Sequence, residues 1–325
     1  MYFIVINPMC ERGQSILRLP VLTSLFDAKN IPYEVHITTA VMDGYNKTLK
    51  FCKRHPDCKG IIGIGGDGTM QEIAAGMVDA FPESRQGKKI PIPLGILPFS
   101  SGNDFLLTLE GGKDKAYDKY KKAPEIVIQN FFETLMKGHL RTVDVITAGD
   151  RAFLNIGHVG LDAKIAHSAE LLKEKHAENA YKIAAFKGVL GYESIRLAIE
   201  TTEINSKTTM EGSYTLAAIC NGQYYGGGMR ITPTAQIDNG KITLCLMKHM
   251  SRLKFFFTLI NIISEKHERM KKISFISCGA LKLTVPPTII CLDGNIYPIE
   301  GDVEFKVLPG VLDVFSDSLK ERSSE

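Results

Sequence analysis

The run Gly63-Ile64-Gly65-Gly66-Asp67-Gly68-Thr69 sets four glycines within six residues around one aspartate. It follows the apolar stretch Gly60-Ile61-Ile62 and leads into helical periodicity from Thr69. Glycine backbones leave N–H groups open to a phosphate, and a helix N-terminus adds a favourable dipole. Two chemistries compete for the pattern. Gly63-x-Gly65-x-x-Gly68 fits the dinucleotide fingerprint, with Glu83 twenty residues after the first glycine. In that fingerprint the acid ends a strand, whereas Glu83 lies in PESRQGKK, a loop ahead of the next strand. A carboxylate inside a pyrophosphate loop repels the anion unless a cation intervenes, so Asp67 calls for Mg²⁺. Magnesium bridging phosphate oxygens would give the loop the makings of phosphoryl transfer. No GxxxxGK[ST] string occurs, which excludes a Walker A loop. The same residues would also make an ordinary Gly-Asp-Gly turn with Thr69 as helix N-cap.

The elements that must hold this loop alternate up to about residue 140. YFIVIN, a helix after Gly13, YEVHI, a helix from Asp43, GIIGI, a helix from Thr69 and IPLGIL read as βαβ units around a parallel sheet. Loops at the carboxyl ends of such strands carry function. Here they are Asn7-Pro8, Thr38, GGDGT and PFSSGND, four polar or glycine-rich loops on one sheet edge. From Thr142 the texture turns β-rich, with VDVITA, AFLNIGHV, YTLAAIC, KITLCLM, ISFIS, LKLTV, TIICLDG and VEFKVL. Helical periodicity interrupts it at roughly Asp162 to Ile199 and Ser251 to Lys266. The second half is expected to be an antiparallel sandwich or barrel-like domain. The lysine-rich KDKAYDKYKKAP, residues 113–124, reads as a linker leading to a helix from Pro124.

With 325 residues, 44% of them hydrophobic, the chain can bury a substantial core and divide in two. Its 39 Lys+Arg balance 36 Asp+Glu, so no overall field favours nucleic acid. Seven cysteines without a CxxC fit reduced thiols and a cytoplasmic setting. Phe255 to Ile263 is the longest strongly apolar segment and is too short to span a bilayer. Flanked by Arg252, Lys254, Lys266, Arg269, Lys271 and Lys272, it would suit peripheral contact with an anionic membrane, or equally a helix packed on the β-rich half. Cys52, His55 and Cys58 offer zinc at most three ligands. GxSxG is absent, so serine-hydrolase chemistry finds no motif.

Along most of its length the sequence resembles the lipid kinases with a diacylglycerol kinase catalytic domain, among them bacterial diacylglycerol kinases and sphingosine kinases. The resemblance rests on Asn7-Pro8, Thr38, Gly65 to Thr69 with Glu72, Leu97-Pro98 and Ser101-Gly102-Asn103-Asp104-Phe105. It continues through Asn155 to Ala163, Asn221 to Met229, Pro233-Thr234-Ala235 and Asp293-Gly294. GGDGT alone is shared with NAD kinases, but the later segments in this order are similar to the lipid kinases. The resemblance implies a Rossmann-like α/β nucleotide domain over 1–140, a β-rich lipid-substrate domain over 141–305, and a last segment, 306–325, that returns to the first domain through Asp313-Val314-Phe315. It places the active site in the cleft between the domains, with ATP and Mg²⁺ as cofactors and a lipid alcohol at a membrane surface as acceptor. A homodimer is the expected assembly.

By the same resemblance Asn7, Pro8, Thr38, Gly65, Gly66, Asp67, Gly68, Thr69, Glu72, Ser101, Asn103 and Asp104 line ATP. Several positions depart from the family pattern. Its first loop runs Asn-Pro-x-Ser-Gly, whereas here Glu11 stands near the expected phosphates, with Arg12 to offset it. Gln71 replaces a frequent asparagine, Asn239 stands at the acid of a magnesium turn, and Asp-Gly-Glu ends as Asp293-Gly294-Asn295. An asparagine orients a hydroxyl but takes no proton at neutral pH. Asp293 is therefore expected to deprotonate or orient the acceptor, Asn295 to assist, and Asp67, with Asn239 a weaker second position, to serve the metal. Asp293-Gly294 is also good hairpin-turn chemistry. The expected activity is transfer of the γ-phosphate of ATP to a lipid hydroxyl, diacylglycerol first. The alternatives are a degenerate member that binds nucleotide or lipid with little catalysis, and an NAD kinase-like enzyme.

Overall fold

The structure, a computed structural model, describes the chain apart from residues 101, 121, 162, 169–193, 204–205 and 318–325. The first half follows strand with helix: β1 (Tyr2–Ile6), α1 (Leu19–Ala28), β2 (Tyr33–Ile37), α2 (Asp43–Arg54), β3 (Gly60–Ile64), α3 (Asp67–Ala80) and β4 (Leu94–Leu97). Then come α4 (Asp104–Leu109), α5 (Lys113–Tyr120) and α6 (Pro124–Lys137). Strands β1, β3 and β4 are buried at every residue, because helices cover both faces of a parallel sheet and each side chain must be apolar. Strand β2 lies at the edge, where burial is only partial. Helix α6 starts with Pro124 in its first turn and ends at Gly138 with φ 68°, the residues whose backbones suit those two positions. A Cβ on Gly63 would lie 2.6 Å from the Met70 sulfur and 2.8 Å from Ile73, so glycine allows α3 to rest on β3. That close approach sets where α3 begins.

The second half supplies β5 (Leu140–Ala148), β6 (Arg151–Phe153), β7 (Ile156–Gly160), β8 (Ile195–Glu203), β9 (Ser206–Cys220) and the two-residue strands β10 (Tyr224–Tyr225) and β11 (Met229–Arg230). Strand β12 (Ile242–Lys248), helix α7 (Arg252–Ile263), β13 (Ile273–Cys278), β14 (Ala280–Leu292) and β15 (Asn295–Phe315) complete it. Apart from the contact of β15 with β4, its strand pairs are antiparallel. Among the described residues one sheet runs β13-β12-β9-β7-β14-β15-β4-β3-β1-β2 through both halves. Strand β15 makes the join, pairing antiparallel with β14 and, at Val314, parallel with Leu94 of β4. The hairpin β14–β15 is thus continuous with the parallel sheet of the first half.

Two sequence expectations fail here. Residues 113–120 form a helix instead of a linker. Its charge hides one anchored face: Ala116 is fully buried with Leu107 and Tyr224, and Tyr120 donates to Glu110 Oε1 at 2.9 Å. The helix expected from Asp162 to Ile199 keeps its start, since 161 and 163–168 are helical, while 169–193 lie outside the described residues. Its end is strand β8, whose Ile195, Leu197, Ile199 and Thr201 are buried at every second position. The apolar period there is two. Among the described residues no helix is long and apolar enough to cross a membrane.

Candidate active site

The carboxyl ends of β1, β2, β3 and β4 bring the polar loops together. Asn7 N–H donates to Ile64 O at 3.0 Å, Thr38 N–H to Ile6 O at 2.9 Å, and Gly65 N–H to Leu97 O at 3.3 Å. Asn7 Nδ2 reaches Thr69 Oγ1 at 3.3 Å, while its Oδ1 accepts the Met9 N–H at 3.0 Å. The side chain of Asn7 therefore fixes the loop that begins at Pro8. Gly66 caps α3 in an extended conformation, and a Cβ there would meet Ser100 Oγ at 2.6 Å. Asn103, with φ 72°, donates to Pro98 O and Ser100 O, so it shapes its own loop. Ser101 lies outside the described residues. Arg12 is exposed, and the partner the structure gives Glu11 is Arg18, at 3.1 Å. Glu11 and Arg12 have φ of 50° and 58°, the region that glycine occupies without cost, which fits the family's glycine in this loop.

Asp67, Asp104 and Asp293 lie beyond the loop, close enough for the Asp67 charge to act on the other two. Asp67 opens α3 and accepts the N–H groups of Asp104 at 2.8 Å and Phe105 at 3.1 Å. Asp104 in turn accepts from Gly227 at 2.9 Å and Gly228 at 2.6 Å, two successive glycines with positive φ. This chain of acids and amides ties the phosphate loop to the GGGM loop of the second half. Asp293 accepts from three successive backbone amides, Leu154, Asn155 and Ile156, at 2.6 to 3.2 Å, with two contacts on each oxygen. Burial raises the Asp67 carboxyl above its ordinary range against those amides. Burial, then the Asp67 charge, pushes Asp104 up to about 7. Burial pushes Asp293 up to about 7 as well, with Asp67 adding to it and the Leu154 amide opposing. Asp67 thus disfavours ionisation of the other two acids.

Asp293 and Gly294, with φ 49° and 98°, form the two-residue turn between β14 and β15, with Leu292 facing Asn295. Hairpin turn and site residue coincide. Beyond the turn, Asn295 Nδ2 donates to Gly68 O at 2.9 Å and to Gln71 Oε1 at 2.7 Å. Two of the departures from the family pattern, Gln71 and Asn295, are thus in direct contact. Tyr297 also donates to Gln71 Oε1, at 3.2 Å, and Gln71 Nε2 donates to Ala152 O at 2.7 Å. The Arg151 guanidinium lies 4.6 Å from the Tyr297 ring centroid. Sequence reading marked Gln71 only as a substitution and passed over Tyr297 and Ala152. The alternation Asn295, Tyr297 after the turn was the available signal, since both must share a face of β15.

Two expected ligands are used otherwise. Glu72 accepts the Met42 N–H at 2.9 Å and the Gly44 N–H at 3.0 Å, so it braces the loop entering α2. Asn239 is exposed and its Oδ1 accepts the Lys241 N–H at 3.0 Å, closing its own turn. Asp238 beside it pairs with Arg141 at 3.4 Å, and the buried Asp144 accepts the Gly240 and Gly310 amides. Among the described residues no three of His, Cys, Asp and Glu gather to hold a metal ion, at Cys52, His55 and Cys58 or elsewhere.

Two family models account for nearly the whole chain: the diacylglycerol kinase catalytic domain over residues 1–148, and the YegS C-terminal NAD kinase beta sandwich-like domain over 156–316. The chain belongs to the diacylglycerol kinase catalytic-domain family of lipid kinases. A probable lipid kinase YegS-like from Shewanella frigidimarina is 28% identical over 77% of this chain and 73% of its own length. A diacylglycerol kinase from Mycobacterium tuberculosis is 25% identical over 69% of each chain. The crystal structure of a putative diacylglycerol kinase from Bacillus anthracis shares the fold, with a TM-score of 0.68, 21% identity and 97% coverage of both chains. As a member of this family the protein is an ATP-dependent lipid kinase, and neither the NAD kinase-like nor the degenerate reading is favoured.

Proposed function

We propose that this lipid kinase phosphorylates diacylglycerol with Mg²⁺-bound ATP, in the cleft where β15 meets the start of α3. The observation that carries the reading is the contact of Asn295 with Gly68, which joins the acceptor-side hairpin to the phosphate loop. The alcohol oxygen bonds to the γ-phosphorus, the bond from that phosphorus to the bridging oxygen breaks, and its electron pair leaves on ADP. Asp67 takes the alcohol proton. The Asp104 N–H bonds Oδ2 of Asp67 and the Phe105 N–H its Oδ1, while each Asp293 oxygen takes two amide bonds. A raised carboxyl pKa suits a base working near neutrality. This moves the expected proton transfer from Asp293 to Asp67 and leaves Asp293 to shape residues 154–156. Mg²⁺ bound with ATP would neutralise developing charge, and Asp67 and Asp104 would be the residues to hold it.

A cavity beside this site supports a lipid acceptor in part: about 470 Å³ in volume, it is lined by apolar Ile290, Leu292, Ile299 and Val303 and by charged Asp150, Arg151, Lys282, Asp302 and Glu304. Leu292 precedes Asp293, so the cavity borders the turn. Helix α7 supports docking at a membrane: Phe255, Thr258 and Ile262 are buried, while Phe257 and Ile260 are 55% and 49% exposed among exposed Lys254, Lys266, Arg269, Lys271 and Lys272. The test is transfer of labelled γ-phosphate to a mixed panel of diacylglycerol, monoacylglycerol, a sphingoid base and phosphatidylglycerol in micelles. Labelled phosphatidic acid is the expected product. Preferential labelling of another lipid overturns diacylglycerol as the acceptor.

A further inference from the structure

Gln71 is 2% exposed and lies one turn into α3, in the first half, yet its side-chain hydrogen bonds to Ala152, Asn295 and Tyr297 cross to the second half. Its orientation follows from its partners. Ala152 O is a backbone carbonyl and only accepts, so the amide nitrogen of Gln71 must face it and Oε1 must face the other way. There Oε1 accepts from Asn295 Nδ2 and from the Tyr297 hydroxyl. Asn295 is fixed in the same way, because Gly68 O also only accepts: both hydrogens of its Nδ2 go to acceptors on α3. One buried carboxamide thereby holds β6, the β14–β15 hairpin and the first turn of α3 in register. Asp67 precedes Gly68 directly, so the clasp also fixes the distance between Asp67 and whatever the hairpin presents.

We propose that Gln71 is a positioning residue for phosphoryl transfer, holding the acceptor-side hairpin against the phosphate loop through Asn295. This rests on the reading of the cleft as the transfer site. The proposal accounts for the paired departures at 71 and 295. A glutamate at 295 would set a carboxylate against Gly68 O and Gln71 Oε1, acceptor against acceptor. Restoring the family's acid at that position therefore lowers activity while Gln71 remains.

The test compares Gln71→Met, Asn295→Ala and the double variant in the full chain, measuring kcat and KM for lipid transfer and the ratio of lipid transfer to ATP hydrolysis. Misplacing reacting groups by an ångström costs on the order of 10²-fold. Each single variant is expected to lose kcat on that scale, with KM for ATP little changed and the ratio shifted towards hydrolysis. The double variant should fall no further than the worse single one, because both remove one clasp. Gln71→Glu keeps the acceptor towards Asn295 and Tyr297 but sets a carboxylate oxygen against Ala152 O, acceptor against acceptor, so it serves as a second variant if the methionine one folds poorly; a loss of kcat is expected. Asn295→Glu should transfer less than the unsubstituted enzyme. The inference is overturned if Gln71→Met and Gln71→Glu keep kcat, if the losses multiply in the double variant, or if Asn295→Glu gains activity. If the unsubstituted enzyme transfers nothing to lipid, the reading of the cleft falls too, a result separable from normal transfer that ignores Gln71.

Discussion

At the scale of residues, similar acids at this site do different work because their hydrogen bonds differ. Asp293 holds three backbone amides, so Asp293→Asn turns an NH₂ group towards N–H donors. Leaving a buried donor unsatisfied costs about 1–3 kcal/mol. Chemical denaturation should show that loss, and activity per folded molecule should fall less than in Asp67→Asn. The reverse order of activities would return the base to Asp293. Glu11 makes a second case, since φ of 50° is a conformation that costs a non-glycine residue roughly 1–2 kcal/mol. Glu11→Gly should therefore raise stability by about 1 kcal/mol and lower KM for ATP by removing a negative charge from the phosphate loop; a raised KM would show that the Glu11–Arg18 pair supports nucleotide binding. The residue types were legible in the sequence, and their roles less so. Asp67, Asp104 and Asp293 stood in motifs, but nothing in their spacing told which oxygens the backbone would occupy. Glu72 and Asn103 were expected at the nucleotide from the resemblance; in the fold their side chains bond the Met42 and Gly44 amides and the Pro98 and Ser100 carbonyls, so each braces a loop.

At the scale of elements, the parallel strands were legible because burial on both faces leaves continuous apolar runs such as GIIGI. Residues 113–120 were not, since Ala116 and Tyr120 supply too small an apolar face among so many charges. Strand β8 was misread because a half-buried strand and a helix share apolar residues over short spans. Helix α7 was legible as a helix, while its sidedness needed neighbours to show which residues point inward. If Phe257 and Ile260 enter a membrane, replacing both with glutamate removes apolar area and adds repulsion from anionic lipid. Co-sedimentation with vesicles containing phosphatidylglycerol should fall by an order of magnitude or more, since each buried apolar side chain contributes roughly 1.5–3 kcal/mol. Phosphorylation of a short-chain lipid dispersed in detergent should be spared. Unchanged co-sedimentation would assign the exposed face to something other than lipid.

At the scale of the whole molecule, the cleft is held by groups that resist being charged. Burial raises Asp67, Glu72, Asp104 and Asp293, the latter two to about 7. Between their unfolded values near 4 and those folded values the native state binds more protons than the unfolded chain, so stability declines as pH rises. The enzyme without nucleotide should show a higher urea midpoint at pH 5.5 than at pH 7.5, and Mg²⁺-ATP should narrow the difference by neutralising the acids. A midpoint that rises with pH would show these carboxylates to be ionised at little cost. The two-part architecture was readable from the change in texture near residue 140. The return of Asp313-Val314-Phe315 to the first half was expected from the resemblance, and Val314 pairs with Leu94; that a single strand would run there from the Asp293-Gly294 turn was not readable, because a continuous strand of that length has no marker in local composition.

The central claim is that the GIGGDGT loop and the β14–β15 turn form one phosphoryl-transfer site with Asp67 as its working acid. It is tested most directly by Mg²⁺-dependent transfer of labelled γ-phosphate to diacylglycerol micelles, with ATP binding measured beside it, for the unsubstituted enzyme and Asp67→Asn. Loss of a general base typically lowers the rate ~10²–10⁴-fold. A loss on that scale is expected, with ATP still bound. Transfer that survives in Asp67→Asn would contradict the claim.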